Sequence, residues 1–523
     1  MALGAVLEPD STESLTEFSG NVELHVVSNR GPIECTIDEN DGINHVQGAG
    51  GVAAALSYIS TMTPITWIFS AMTKGDRRIA KAYDSLTATQ LKKIGLLGKN
   101  VKPHFVVLPV SVFHKYYEEF SNRILWFLQH YMLNSSYEPT IDSSVYDAWH
   151  NGYVTANQLF ADKVIEVISQ AKKTPVILLQ DYHLYLAPGM IRQAAPSSLI
   201  QHFTHIPWPE PRYWEMLPFE MRDAIFRSMV AADILGFQTR QDARNFLDGC
   251  LAFLKEAHID REEVGIVLNG HVARVRAYPI SVDPDQLRRR VRSEQVRDYI
   301  DNLQTLCGKK TIVRVDRLEP SKNLLRGLQA FDELLSETPK FIGRVRLLLF
   351  IVPSRDRISE YRHYHSEVMK KIDWINEKFS RGGWHPIEVF YENNYDQALA
   401  GLTLYDVLLV NPLIDGMNLV AKEGPIVNTK DGVLVLSEGA GAHQQLKEGT
   451  IAVAAADVEG TKQALLRALE MHHSERHRRS EILKKAIERE DLRRWFTTQL
   501  AEIANVLNHP RFSVLHPSRS RRA

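Results

Sequence analysis

Arg317 and Lys322 lie five residues apart in one loop, and the string Asp415-Gly416-Met417-Asn418-Leu419-Val420-Ala421-Lys422-Glu423 lies further along. Together they are suited to hold a diphosphate. A guanidinium grips two oxygens as a planar fork, and an ammonium adds a point charge. The apolar run Val407 to Val410 precedes the Asp415 string, so the order reads as strand, tight turn at Asp415-Gly416, then helix. A helix N-terminus leaves backbone N–H groups unpaired and carries partial positive charge, which suits an anion. Glu423, one turn past Leu419, can hydrogen-bond a ribose hydroxyl. Alone, Asp-Gly is an ordinary turn and Arg with Lys are ordinary surface charges. Their occurrence in one lobe favours the anion site.

A second group is Gln180-Asp181-Tyr182-His183 after Val176 to Leu179, with His205-Ile206-Pro207-Trp208-Pro209 after Leu199 to Phe203. If those runs are adjacent parallel strands, Asp181 and His205 stand side by side at one sheet edge, placed to bond sugar hydroxyls. Each His taken singly reads as a structural residue bonded to backbone. Arg30 follows the first strand and Arg355 follows Val345 to Val352. If both face one cleft they clamp a second phosphate; either could equally be a rim charge. Gly48-Ala49-Gly50-Gly51-Val52-Ala53 is not the dinucleotide fingerprint, because about twenty residues separate it from its strand where the fingerprint follows at once. Its glycines suit close approach of a loop and helix to a ligand, or of the helix to its neighbours.

These residues need strands to carry them. Short apolar runs alternate with amphipathic stretches, which is the pattern of α/β folds with parallel sheets. The first set is Leu24 to Ser28, Phe105 to Leu108, Val176 to Leu179, Leu199 to Phe203 and Ile234 to Phe237. The second is Thr311 to Val315, Val345 to Val352, Ile387 to Tyr391, Val407 to Val410 and Val433 to Leu436. Between the sets, Ala277-Tyr278-Pro279-Ile280-Ser281-Val282-Asp283-Pro284 marks a boundary. The expected division is a mobile tail over 1–20, a first domain over 21–278, a second over 279–485, a helix over 486–508 returning to the first domain, and a basic mobile tail over 509–523.

Composition narrows the function classes. A chain of 523 residues holds more than one ordinary core, and 44% hydrophobic with 24% charged residues fits a soluble globular protein. A net charge of -1 gives no global attraction to nucleic acid or anionic membrane. The three cysteines, Cys35, Cys250 and Cys307, have no disulfide or zinc spacing. No run reaches the ~20 apolar residues of a membrane span, and the acidic start lacks the basic region of a signal peptide. A cytoplasmic enzyme is expected, with no cofactor or metal indicated. The oligomeric state is open, a homo-oligomer being one option.

Ser28-Asn29-Arg30, Ala49-Gly50-Gly51, YEEFSNRILW from Tyr117 to Trp126, Gln180 to His183, His205 to Pro209, Gly236-Phe237-Gln238-Thr239, Arg317 to Lys322 and Asp415 to Glu423 occur in an ordered series. In this the chain resembles, from about residue 23 to 500, the trehalose-6-phosphate synthases of glycosyltransferase family 20. The resemblance implies a GT-B fold, with two Rossmann-like parallel-sheet domains facing a central cleft. It implies transfer of a glucosyl group, with retention and without a metal, from a UDP- or GDP-glucose type donor to a sugar phosphate such as glucose 6-phosphate. On that pattern Arg317, Lys322, Asp181 and His205 are catalytic. Gly51, Asp415, Gly416, Met417, Asn418, Leu419, Val420 and Glu423 bind the donor, and Arg30, Tyr117, Trp126 and Arg355 bind the acceptor.

The chain also departs from the family. Where the synthases carry WFGW(S/T)G it reads Trp67-Ile68-Phe69-Ser70-Ala71-Met72, so Ser70 replaces a Trp that contacts the acceptor. Loss of that aromatic wall is expected to change acceptor choice. Gly424-Pro425-Ile426-Val427 replaces a continuing helix, and Gln180 replaces a His. These changes resemble the pseudo-glycosyltransferase branch, which includes validoxylamine A 7'-phosphate synthase. The alternative is therefore a cyclitol or other phosphorylated acceptor. A silent sugar-phosphate-binding regulator is a third reading, opposed by the presence of Arg317, Lys322, Asp181, His205 and Glu423.

Overall fold

The computed structural model describes residues 21–37, 43–47, 51–83, 86, 100–133, 139–355 and 357–508. The expected tails, 1–20 and 509–523, and Gly48 to Gly50 lie outside the described residues. The chain forms two compact units, one of residues up to Tyr278 together with those from Phe496 on, the other Pro279–Trp495. The helix Leu492–Asn508 straddles that second division.

The first unit contains β1 (Val22–Ser28), β2 (Ile33–Ile37), β3 (Ile43–Gln47), β4 (Ile65–Ser70), β5 (Val101–Val106), β6 (Thr174–Gln180), β7 (Leu199–Phe203), β8 (Ile234–Phe237), β9 (His258–Asp260), β10 (Gly265–Leu268) and β11 (His271–Ala277). Nine of these strands form one sheet in the order β5-β4-β1-β6-β7-β8-β11-β10-β9. It is parallel from β5 to β11 and ends in antiparallel β10 and β9. β2 and β3 pair as a separate hairpin. The central parallel strands are covered on both faces, and β7 is buried at every position, Gln201 and His202 included. From β1 the chain passes outward through β4 and β5 and returns to the other side of β1 with β6. The carboxyl ends of β1 and β6 therefore flank a topological switch point, where open α/β sheets bind ligands. Trp67, Trp126, Trp149, Trp208 and Trp214 all lie in this unit's core.

The second unit contains β12 (Lys310–Arg317), β13 (Val345–Val352), β14 (Ile387–Tyr391), β15 (Val407–Val410), β16 (Val433–Ser437) and β17 (Ile451–Val453). Their order is β14-β13-β12-β15-β16-β17, all parallel. Here the switch point lies between β12 and β15, the strands that precede the Arg317 and Asp415 loops. Leu347, Leu349 and Val435 of the sheet pack with Leu328, Phe331 and Leu465 of the covering helices in one core.

Two local expectations change. The run Phe105 to Leu108 overlaps only the end of β5, which stops at Val106 because the chain turns into Pro109 and the helix that follows. Pro425 does not stop its helix, which spans Val420–Val427 and ends two residues later, where the Asn428 amide donates to the Gly424 carbonyl at 2.9 Å.

Candidate active site

In the second unit β12 runs out at Arg317, and a tight turn over Pro320–Lys322 leads to Asn323 in the left-handed region, φ 60°. The largely buried Lys322 ammonium donates to the Asp415 carboxylate in the loop after β15. The same carboxylate accepts from Asn418 Nδ2 at 3.1 Å, and Asn418 is itself left-handed at φ 70°. Behind this pair, buried Arg314 donates through Nε to Asp316 at 2.7 Å and through Nη2 to the carbonyl of Lys322. Burial raises the Asp316 pKa and the Arg314 charge opposes that rise.

The backbone fixes the Asp415 turn. The Leu413 amide donates to the Ser321 carbonyl at 2.8 Å, Asp415 to Gly439 at 3.0 Å, Gly441 to Asp415 at 3.1 Å and Ala442 to Met417 at 2.9 Å. Approach is so close that a Cβ on Gly441 would lie 1.9 Å from the Gly416 carbonyl oxygen. The helix from Val420 carries no side-chain cap at its start.

Arg317 pairs within its own loop. Its half-exposed guanidinium pairs with the buried Glu319 carboxylate at 2.9 Å. Arg355 Nη1 lies 3.8 Å from the same oxygen and also donates to the Tyr361 hydroxyl, while Ser354 Oγ donates to Glu319 at 3.0 Å. Burial disfavours the Glu319 charge, but Arg317, Arg355 and Lys322 outweigh it and hold its pKa at about 2. Arg355 sits at φ 43°, a strained conformation for a non-glycine residue. On the adjoining helix the partly buried Glu423 accepts from the Tyr395 hydroxyl at 2.9 Å.

In the first unit Gln180 and Phe203 pair across β6 and β7, which places the next residues of both strands together. Asp181 adopts φ 71° and ψ 172°, a conformation that costs a residue with a Cβ of order 1–3 kcal/mol. Its Oδ1 accepts from the His205 amide at 3.1 Å. The His205 ring donates from Nε2 to Gln180 Oε1 at 2.9 Å and accepts at Nδ1 from Gln238 at 3.3 Å. Burial, helped by His202, lowers its pKa to about 3, so the ring is neutral.

Past β1, Arg30 Nη2 donates to the Tyr117 hydroxyl at 3.1 Å. Tyr117 belongs to a helical stretch, His114–Leu125, wound with the wider i→i+5 turn, a form that gathers at functional sites. Its ring stacks on Phe113 and His183, with centroids 5.2 and 5.7 Å away. Trp126 is buried and stacks on His130 at 4.1 Å. Ser70 is 1% exposed and its hydroxyl has no hydrogen-bond partner among the described residues, so it occupies core rather than a wall of a pocket. Gly51 starts the helix Gly51–Met62.

The structure thus brings Lys322 to Asp415 and Asn418, Asp181 to His205, and Arg30 to Tyr117, and ties Arg317 with Arg355 through Glu319. Sequence reasoning included Glu319 and Gln238 in its motifs without giving either a role, and passed over Tyr395 and the Gly439–Ala442 segment. The glycines of that segment, directly after an apolar strand, were the available signal.

The family model for glycosyltransferase family 20 matches residues 22–505. The chain is 31% identical to the Aspergillus fumigatus alpha,alpha-trehalose-phosphate synthase (UDP-forming) 2, covering 92% of this chain and 97% of that one. It is 29% identical to the Dictyostelium discoideum alpha,alpha-trehalose-phosphate synthase (UDP-forming) A, covering 93% of this chain but spanning only 63% of that longer relative. Among solved structures, the E. coli trehalose-6-phosphate protein bound with UDP-2-fluoro glucose superposes with a TM-score of 0.77 at 26% identity, covering 93% and 99% of the two chains. The Burkholderia xenovorans alpha,alpha-trehalose-phosphate synthase (UDP-forming) in complex with glucose-6-phosphate gives 0.77 at 27%, covering 92% and 100%. The fold class is α/β with Rossmann-like parallel sheets, shared with GT-B glycosyltransferases. The chain belongs to glycosyltransferase family 20.

Proposed function

We propose that this enzyme transfers a glucosyl group from UDP-glucose to glucose 6-phosphate, forming trehalose 6-phosphate and releasing UDP. The names of its relatives support those substrates, and the observation that carries the reading is Lys322 held against Asp415 at the switch point of the second unit. Lys322 and Arg317 take the leaving diphosphate, assisted by Gly416, Asn418 and the amides around Met417 to Val420, while Glu423 holds the ribose. Negative charge grows on the diphosphate as the sugar bond breaks, and donors aimed there lower the barrier by about 3 kcal/mol each. Two cations take the part a metal ion plays elsewhere. Asp181, the neutral His205 and Asp415 orient the donor sugar, Gly51 approaches the diphosphate, and Arg30, Tyr117, Trp126 and Arg355 bind the acceptor.

The anomeric carbon exchanges its bond to the diphosphate oxygen for one to the acceptor hydroxyl on the same face. The hydroxyl proton passes to the departing phosphate oxygen, so configuration is retained. The first unit is the acceptor side, the second the nucleotide-sugar side, and the enzyme works in the cytoplasm. A different phosphorylated acceptor is a second reading, favoured by Ser70 in the core and by Gln180 as the partner of His205. Incubation with paired nucleotide sugars and sugar phosphates, reading nucleotide release and product mass, tests both. No UDP release from UDP-glucose with any phosphorylated acceptor would defeat the proposal.

A further inference from the structure

The carboxylate assigned to the ribose is already held by another side chain. Tyr395 is the first residue of the helix Tyr395–Thr403, just past the carboxyl end of β14, and its hydroxyl donates to Glu423 Oε1 at 2.9 Å. Tyr395 is 42% exposed, yet desolvation of its phenol by the surrounding atoms, together with the adjacent Glu423 carboxylate, raises its pKa, so the proton stays on the phenol and is donated. The ring is anchored from behind, with the Arg290 guanidinium 4.8 Å from its centroid and Arg290 Nε bonded to Asp396 at 2.5 Å. The start of the helix is anchored too. Asn394 caps it by accepting from the Gln397 amide at 3.0 Å, and Asn394 Nδ2 donates to Tyr299 at 2.9 Å.

A carboxylate that meets a vicinal diol unaided is free to rotate and to be solvated by either oxygen. Occupying Oε1 from a fixed donor leaves Oε2 as the oxygen turned to the ligand and removes that rotational freedom before binding, which is where preorganisation adds affinity. We propose that Tyr395 is a positioning residue that sets the Glu423 carboxylate for the ribose hydroxyls of the donor nucleotide. This rests on the reading of Glu423 as the ribose ligand. The effect is confined to ligands that carry those hydroxyls, which separates it from a general structural role.

The test compares the whole enzyme with Tyr395→Phe and Glu423→Gln, measuring kcat and KM for UDP-glucose and calorimetric Kd for UDP and 2′,3′-dideoxy-UDP. Tyr395→Phe keeps the ring over Arg290 and loses only the hydroxyl. It is expected to raise the donor KM and the Kd for UDP about tenfold, the factor a lost 1.4 kcal/mol produces, with kcat changed less than about twofold and dideoxy-UDP bound as by the parent. Equal weakening of UDP and dideoxy-UDP would show a merely structural role and overturn the inference. Unchanged UDP binding in Tyr395→Phe, with UDP binding weakened in Glu423→Gln, would overturn the inference and leave the ribose assignment standing. A Glu423→Gln variant that still prefers UDP over dideoxy-UDP as the parent does would overturn both.

Discussion

The ammonium of Lys322 rests on the carboxylate of Asp415, so loops 93 residues apart in sequence share one charge pair. The two side chains are 9% and 15% exposed, where water screens little. Binding of a diphosphate would give the ammonium a second anion to serve.

Removing either cation tests the proposed chemistry. Lys322→Ala and Arg317→Ala are each expected to lower kcat by about 10²–10³, read as UDP release under saturating substrates. The variants should differ in stability. Arg317→Ala removes the nearest counter-charge of the buried Glu319 and should lower the denaturation midpoint, but less than Lys322→Ala does, because Arg355 and Ser354 still serve Glu319 whereas Asp415 loses its ammonium at a cost of about 3 kcal/mol. Near-parental turnover in both would rule out the diphosphate grip.

Acid should weaken the first unit through its histidines. Burial lowers the pKa of His25 to about 4 and those of His202 and His205 to about 3. Above about pH 6.5 these rings are neutral whether the chain is folded or not, and the stability is fully present. As pH falls from there toward 4 and 3, the unfolded chain takes up protons that the folded one refuses, so stability declines, by about 1.4 kcal/mol per unit of depression for each ring. Neither ring nitrogen of His25 has a hydrogen-bond partner among the described residues. Urea denaturation of His25→Leu at pH 7.5 and 5 should show a smaller loss than the parent; an equal loss would refute this source of acid sensitivity.

Ser70 sits where the synthases place an aromatic residue, yet its surroundings have closed over it. Ser70→Trp should therefore cost about 1–3 kcal/mol by overpacking before any change in acceptor choice. Ser70→Ala, which removes a buried hydroxyl without a partner, should be neutral or slightly stabilising. Thermal melts of both variants decide the matter, and a Ser70→Trp protein as stable as the parent would show that the space exists.

Gly441→Ala asks whether the donor turn tolerates displacement. The added methyl would meet the Gly416 carbonyl oxygen at 1.9 Å, so the Asp415–Met417 backbone must move. Misplacement of about 1 Å can cost about 10²-fold in rate. We expect a fall of that order in kcat/KM for the donor with the fold retained by circular dichroism; unchanged kcat/KM would mean that the turn is not part of the site.

Most of the parallel strands were legible because burial on both faces writes them as largely continuous apolar runs, as in β13 and β15, but parallel β4 and β17 were passed over. β10 and β11 were missed because their antiparallel ladder lies toward the sheet edge, with polar residues such as His271 and Arg276. Yet Asn269-Gly270, at φ 52° and 80°, is a two-residue hairpin signal that could have been read. At the site, two successive apolar runs read as adjacent parallel strands place Asp181 and His205 together, as β6 and β7 do. The Glu319 bridge was not legible, since no local pattern tells that a loop carboxylate will fold inward between Arg317 and Arg355. The Tyr395–Glu423 bond likewise spans 28 residues and two helices.

Three hydrogen bonds between peptide groups link Asp415–Met417 to Gly439–Ala442. A seat fastened this way does not depend on which side chains flank it, provided the bare positions stay bare. Side chains around the turn can therefore change without rebuilding the cradle beneath, whereas a methyl group at Gly441 cannot be added without moving it.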